Sequence, residues 1–476
     1  MASVTGSQFI ATAGNGGSTP VTVAETNDGN LPPPTPGTFN LEVWTGPPGS
    51  APATPAPGYQ GLAILSDGGQ ELTLVSGAFT VTDNGTGNDT LIAAGSDETI
   101  AGGASNVTLI LEGNNDVAQG GGQDTITVDG DFDTVNGVGN DSVTVFGSFD
   151  AVNPGTGNDT ITIDGNFDTV SAGSGNDAIT ATGLFDSVTG GNGNDTLTAT
   201  GSFDTVAVGA GSDTVIASGN FDSVTAGSGA EVITLSGFFD SVSGGIGDDT
   251  ILATGPFNAI VAGSGNDLVT ISGNFDSVTA GSGADTIAAS GFFDSVTGGS
   301  GPDAITATGP FNAIIAGSGN DSITVSGDFD SVTGGSGADT ITATGSFDLV
   351  IGGTGPDTIT ATGSFDTVIA GSGADTIIAS GNFDTVEGGA AGGASTAAIT
   401  FSGGNATFVD GPNPYSDTIV GFSQAGGDSI HLTGTDNVTN AVANAQSSNG
   451  DTLITLHDGS TILLKGVGHI DSSFFS

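Results

Sequence analysis

A carboxylate recurs in the pattern Gly-x-Gly-x-Asp, and its spacing is the first feature of the chain with chemical meaning. Copies start at Gly137, Gly155 and Gly173 and keep that spacing to Gly371, with another beginning at Gly120. A separate upstream copy reads Gly85-Thr-Gly-Asn-Asp89. The acids so marked are Asp89, Asp124, Asp141, Asp159, Asp177, Asp195, Asp213, Glu231, Asp249, Asp267, Asp285, Asp303, Asp321, Asp339, Asp357 and Asp375. If successive copies stack, these groups form a file along one edge. Like charges that close repel, which strains the stack or raises pKa values. A cation between neighbours reverses the sign of the interaction. Glycine-rich turns add backbone carbonyls, so the donors are all oxygen, without His or Cys. That set suits a hard cation of Ca²⁺ size better than Mg²⁺, which prefers a rigid octahedron and keeps its water. One isolated copy would say little, but fifteen in register from Asp124 to Asp375 make a specific signal.

Composition points the same way. The chain has 476 residues, 52 Asp+Glu, one Lys+Arg and a formal net charge of −51. Internal salt-bridge networks are excluded, and so is a basic patch for nucleic acid or an anionic membrane. The negative charge must be hydrated or met by a cation from outside. There is no cysteine, which removes disulfides, thiol chemistry and sulfur-ligated metals. With 85 glycines and this much like charge, disorder would be expected unless the composition is periodic.

The elements that position the acids follow from the period. Phenylalanine keeps the same interval from Phe167 through Phe185 and Phe203 to Phe383, preceded by Phe132 and Phe149. Residues 219–272 and 273–326 are near-duplicates, three units each. Within a unit, a run such as Asp195-Thr-Leu-Thr-Ala-Thr alternates with period 2, which predicts a short half-buried strand. The second run, Phe203-Asp-Thr-Val206, predicts another, with Phe and Val facing the interior. Two short strands and two glycine-punctuated turns per unit describe one 18-residue coil of an all-β, right-handed parallel β-solenoid. About 17 coils at ~4.8 Å would give a rod on the order of 80 Å long, with a core of stacked Phe, Ile and Val.

Three regions are expected. Residues 1–60 comprise a Thr/Val-rich segment, Ser3–Glu25, that reads as a strand or a mobile tail, followed by an extended linker. Ten of the 17 prolines lie between Pro20 and Pro57. Residues 61–399 hold the repeats, although Gly103-Ala-Ser-Asn-Val107 has lost its Asp. Residues 400–476 form a non-repeating end, expected to cap the solenoid. Residues 1–30 contain no basic residue and no apolar core, so no N-terminal signal peptide is expected. No run approaches the ~18 apolar residues of a transmembrane helix.

Gly190-Gly-Asn-Gly-Asn-Asp195-Thr-Leu-Thr and Gly334-Gly-Ser-Gly-Ala-Asp339-Thr-Ile-Thr resemble the G-G-x-G-x-D-x-U-x nonapeptide of RTX, or haemolysin-type, calcium-binding β-rolls. The resemblance implies that the motif Asp and loop carbonyls of successive turns hold Ca²⁺, at Asp141 through Asp375. Every second nonapeptide departs from the pattern, reading like Ala199-Thr-Gly201-Ser-Phe203-Asp204. One ion file is therefore expected rather than two, with Asp168, Asp186, Asp204 and their successors, and Asn258 and Asn312, as solvated turn residues. Asp417-Thr-Ile-Val-Gly-Phe422, Gly427-Asp428-Ser-Ile-His-Leu432, Gly450 through Leu464 and the final Asp471-Ser-Ser-Phe-Phe-Ser resemble the tail of type I secretion substrates. This implies export of the unfolded chain by the type I secretion machinery, to the medium or the cell surface.

Catalysis is not expected. His431, His457 and His469 show no metal-binding or triad spacing, residues 1–84 are too short and proline-rich for a catalytic domain, and no break in the repeat offers a cleft. The reading is a secreted calcium-binding structural protein that folds on Ca²⁺ and self-associates as surface layer, matrix or filament. The alternatives are an ice-binding protein or adhesin using outward Thr pairs such as Thr160/Thr162 and Thr340/Thr342, and, less favoured, a carbohydrate-active enzyme.

Overall fold

The computed structural model describes residues 88, 90–102, 106–389, 395–411, 414–434 and 436–476, together with Pro57 and the backbone of six strands between Phe9 and Asp83. Asp89 and the Pro32–Pro36 and Pro47-Pro48 runs lie outside the described residues. The chain is a parallel β-solenoid, divided into two compact units, Met1–Ser236 and Gly237–Ser476. Among the described residues no helix is long and apolar enough to cross a membrane.

In the first unit, a regular coil runs through Thr196–Ala199, a turn, Thr205–Ala210 and a second turn. Each strand pairs in parallel with its equivalent one coil away. Ile179 lies opposite Leu197 and Ala181 opposite Ala199 in one sheet, and Val188 opposite Val206 in the other. Alternation does the sorting: Leu197, Ala199, Val206 and Val208 face inward and are buried, while Thr196 and Thr205 face out. The core is two apolar residues thick, and its strength comes from repetition along the stack. Upstream, Val21–Thr26, Phe39–Trp44 and Gly61–Ile64 pair in parallel. Glu71–Leu74 returns antiparallel to Gly61–Ile64 and then pairs in parallel with Thr90–Ala93. Phe9–Ala13 lies antiparallel to Phe79–Asp83. The Thr/Val-rich segment thus contributes Phe9–Ala13 and Val21–Thr26 as strands.

The second unit repeats the arrangement in the same register, as in Ile341 opposite Ile359 and Val350 opposite Val368. Parallel stacking continues beyond the last 18-residue unit with longer coils, in which Thr385 pairs with Thr407 and Thr407 with Ser429. Ser416–Val420 then pairs in parallel with Thr461–Leu464, which folds back antiparallel on Asp451–Thr455. Asn437 caps the short helix Val438–Ala443, its side chain accepting from the Asn440 N–H. Lys465 Nζ meets Asp451 Oδ2 at 2.6 Å.

The phenylalanines contradict the sequence expectation. They stack coil upon coil, but on the outside, 43–55% exposed where they fall in the regular turns. In the first unit the rings from Phe132 to Phe221 stack with centroids 4.8–5.0 Å apart. The cause is the backbone. Each Phe is the third residue of its turn, with φ between 62° and 66°, and this left-handed corner turns the following Asp into the interior. Asp97, Asn115 and Asn405 occupy the same corner at φ 64°, 63° and 56°, and Asn and Asp are the non-glycine residues that tolerate it best. Among the described residues Phe401, Phe408 and Phe422, beyond the regular repeats, are the phenylalanines that enter the core.

Candidate metal centre

Most regular coils bury two carboxylates, one at each turn. On the glycine side these are the predicted acids: from Asp124 to Asp375 every one is at most 2% exposed. Stacking brings them into a file, as expected, but inside the turn instead of along an open edge. The file is joined through the backbone. Asp195 Oδ1 accepts the N–H of Asp177 at 2.9 Å, and Asp213 Oδ1 accepts that of Asp195 at 2.7 Å. In the second unit the same bonds run from Asp249 through Asp267, Asp285 and Asp303 to Asp375, at 2.8–3.0 Å. Val107 takes the place of the lost acid, its N–H donating to Asp124 Oδ1 at 2.8 Å.

The glycines of this turn are required by contact as well as conformation. Gly193 has φ +136°, and a Cβ there would collide with the carbonyl oxygen of Gly175 one coil before. Only a chain without a side chain can pass so close to its neighbour.

The second carboxylate oxygen decides the chemistry. Asp124 Oδ2 is held by the Gly121 N–H at 2.7 Å. Oδ2 of Asp141, Asp159, Asp177, Asp195 and Asp213, and in the second unit of Asp267, Asp285, Asp303, Asp321, Asp339, Asp357 and Asp375, is buried without a hydrogen-bond partner. Leaving a buried charged acceptor unpaired is costly. Burial accordingly raises Asp159, Asp195, Asp267, Asp303 and Asp357 to about 6, with the backbone N–H bond opposing and neighbouring acids adding to the rise. Asp177, Asp285 and Asp339 move in the same direction, again chiefly through burial.

On the phenylalanine side the expectation of solvated acids fails. Asp168, Asp186 and Asp204 are 1% exposed, and their Oδ1 atoms form the same ladder, the Asp150 N–H donating to Asp168 at 2.8 Å. Their neighbour Phe takes the solvent-facing position, so the acid cannot. Burial, reinforced by flanking acids, raises Asp133, Asp150, Asp186 and Asp348 to about 7. Asp366 caps its turn, its Oδ2 accepting the Gly363 N–H at 3.2 Å, but Oδ2 of Asp133, Asp150, Asp168, Asp186, Asp204, Asp276, Asp294, Asp330 and Asp348 is buried without a hydrogen-bond partner, as on the glycine side. Asn258 and Asn312 keep the ladder, their Oδ1 atoms accepting the Asp240 and Asp294 N–H, and turn Nδ2 onto the Gly255 and Gly309 carbonyls, both at 2.7 Å. An amide therefore fills this position as well as a carboxylate does. The sequence signal that could have exposed the burial is this pair of amides, conservative in shape and neutral in charge, inside an otherwise unbroken acid file.

The longer coils supply two further buried acids that motif spacing does not reach. Asp417 Oδ1 accepts from Ala397 N–H at 2.8 Å and Asp428 Oδ1 from Ala406 N–H at 2.9 Å, each one coil beyond the alanine that interrupts its ladder. Asp417 is pushed to about 7 by burial.

Among the described residues no three His, Asp or Glu side chains converge on one point. A cation here must draw on one or two carboxylates and on the carbonyls of the glycine turns. The buried, unpartnered Oδ2 atoms and the all-oxygen donor set fit a hard divalent ion. Fold and site together define a repeat β-solenoid whose turns bury files of carboxylate. The model of the RTX calcium-binding nonapeptide repeat matches residues 85–109, 92–126, 189–224, 225–255, 279–309, 315–350 and 351–390. These segments are RTX calcium-binding repeats, and together with the solenoid they support an RTX β-roll protein. No curated protein matches it.

Proposed function

We propose that the glycine-side file is the calcium site, and that the protein is a secreted structural module which folds when the ion binds. Buried Oδ2 atoms without partners occur in both files, so the observation that carries this reading is substitution: the glycine-side file keeps an acid from Asp124 to Asp375, with Glu231 as its sole change, whereas the phenylalanine-side file accepts neutral Asn. Asp141, Asp159, Asp177, Asp195, Asp213, Glu231, Asp249, Asp267, Asp285, Asp303, Asp321, Asp339, Asp357 and Asp375 would hold the ions, with Asp124 and Asp89 in the corresponding repeats. Bound calcium supplies the positive charge that the composition lacks. The residues do the rest: Oδ1 fixes the neighbouring coil through its N–H, and the glycines keep the turn open to the ion. Without neutralisation, burying so many acids and ordering 85 glycines has nothing to offset it.

Proteins with such repeats are typically secreted. The tail resemblance supports type I export to the medium or cell surface, and the repetitive surface supports a structural role in a surface layer, matrix or filament, without catalysis. The Thr faces are interrupted by exposed Val232, Leu252, Leu268 and Ile378, which favours structure over ice binding. Circular dichroism during a calcium titration tests the core of the reading. The β signal should be small in EGTA at neutral pH and rise with calcium; a full signal in EGTA sinks it.

A further inference from the structure

The outward Phe ladder costs energy twice. Each ring sits at a left-handed corner that disfavours bulky residues by roughly 1–2 kcal/mol, and each exposes apolar surface to water. Asn115 and Asn405 show that the turn closes with an ordinary left-handed residue. In the second unit nine rings, Phe239 to Phe383, form one unbroken stack with centroids 4.7–5.1 Å apart and planes within 13° of parallel. The faces cover one another, so the ridge offers edges, and no flat ring is left for a sugar to stack upon.

A second row widens this ridge. The residues preceding the Phe corners are Phe238, Pro256, Asn274, Phe292 and Pro310, uncharged throughout, until Asp328 ends the run. Phe292 packs edge-on against both Phe275 and Phe293. On a chain of net charge −51, this is a neutral apolar strip. At ~90 Å² exposed per ring, the ladder and its flank present on the order of 800–1,000 Å², close to the ~800 Å² per partner of a stable interface. Patches of this size on a soluble protein mark interaction sites.

We propose that this Phe ridge is a lateral docking surface for a second copy of the chain, ridge against ridge. Three features select that occupant. The exposed area matches one side of a dimer interface. The repeat of about 4.9 Å is shared by another copy of the same solenoid along its whole length. The strip is also where two strongly acidic chains meet without opposing charges. The inference deepens the assembly reading above, but a lateral pair forms in solution whether or not larger arrays are built.

Sedimentation velocity of the full chain in calcium tests it. A monomer–dimer equilibrium is expected, shifted toward dimer by added salt as charge repulsion is screened. Combining Phe275→Asn, Phe293→Asn and Phe311→Asn keeps left-handed-tolerant residues at the corners and should weaken dimerisation by roughly tenfold or more, with the circular dichroism unchanged. Phe238→Asp with Phe292→Asp leaves the ladder intact, imitates Asp328, and should also weaken it. A wild-type chain that is monomeric up to about 100 µM, above the micromolar ceiling expected for such an area, overturns the proposal. So do variants that dimerise like wild type, or a monomer that floats with phosphatidylcholine vesicles through the ridge. Dimers without arrays in electron microscopy sink the extracellular-assembly reading and leave the ridge standing; arrays formed equally by both variants do the reverse.

Discussion

The two turns of each coil bury the same group and use it differently. The glycine turn places positive φ on residues without side chains, such as Gly191 at 116° and Gly193 at 136°, and keeps a carboxylate from Asp124 to Asp375. The phenylalanine turn places positive φ on a large ring and accepts Asn258 and Asn312. Burial alone therefore does not distinguish a metal ligand from a structural cap. The proposed assignment separates them by whether a neutral isostere can stand in, and by whether the local backbone is left open to a ligand or spent on projecting a side chain.

The largest test of this comparison is pH in the absence of calcium. In both files buried acids have folded-state pKa values raised above 3.8, to about 7 for Asp133, Asp150 and Asp348 and about 6 for Asp195 and Asp267. Between the unfolded and folded values the native state binds more protons, so stability falls as pH rises. In EGTA the β signal should be greatest near or below pH 4 and be lost as pH passes 6 to 7, the reverse of ordinary acid denaturation. Calcium should restore it at pH 7 and above, and circular dichroism across pH with and without the ion reads both limbs.

Next in size is the glycine turn itself. Gly193→Ala places a Cβ against the Gly175 carbonyl at a strained φ and should destabilise by roughly 2–4 kcal/mol. Gly468→Ala, with nothing within 4 Å, should stay within about 0.5 kcal/mol. Thermal melts in saturating calcium compare the two.

Charge removal then separates the files. Asp267→Asn should raise the calcium midpoint by at least the roughly tenfold that loss of a supporting contact costs a metal site. Asp276→Asn should leave the midpoint near wild type, because it sits in the file where Asn258 already hands its N–H to Asp276. Equal shifts for the two would erase the distinction and argue for ions on both sides. The smallest effect belongs to the ladder: Phe347→Asn relieves a corner strain of about 1–2 kcal/mol and loses two stacking contacts of about 0.5–1.5 kcal/mol each, so the melting temperature should barely move.

Period and alternation carried most of this architecture in advance. The constant repeat length, two strands per coil and the glycine-side acids from Asp124 to Asp375 are all legible because repetition averages away the ambiguity of any single short run. The orientation of Phe was not, since hydrophobicity says inward and only the corner φ says outward. Asp97, Asn115 and Asn405 at equivalent corners were the available clue, visible only once the turn is aligned on the buried acid that follows. The burial of Asp168 and its successors was hidden for the same reason: if the Phe is assigned inside, the next residue is forced outside. Asp417 and Asp428 escaped because the coils lengthen there and break the spacing.

The carboxylate ladder also has a direction. Each Asp in the ladder accepts at Oδ1 the N–H of the coil before it, so a coil within the ladder depends on the one that follows. Beyond the break in the phenylalanine-side ladder, Asp428 satisfies its own N–H locally with the Ser423 carbonyl at 3.1 Å, and its Oδ2 accepts the Ser423 N–H at 2.7 Å. Shortening this unit from its two ends is therefore not equivalent. Removing leading coils strands acceptors, which water can serve at a new surface. Removing trailing coils strands amide donors instead and takes away Asp428, where the ladder position closes on its own turn.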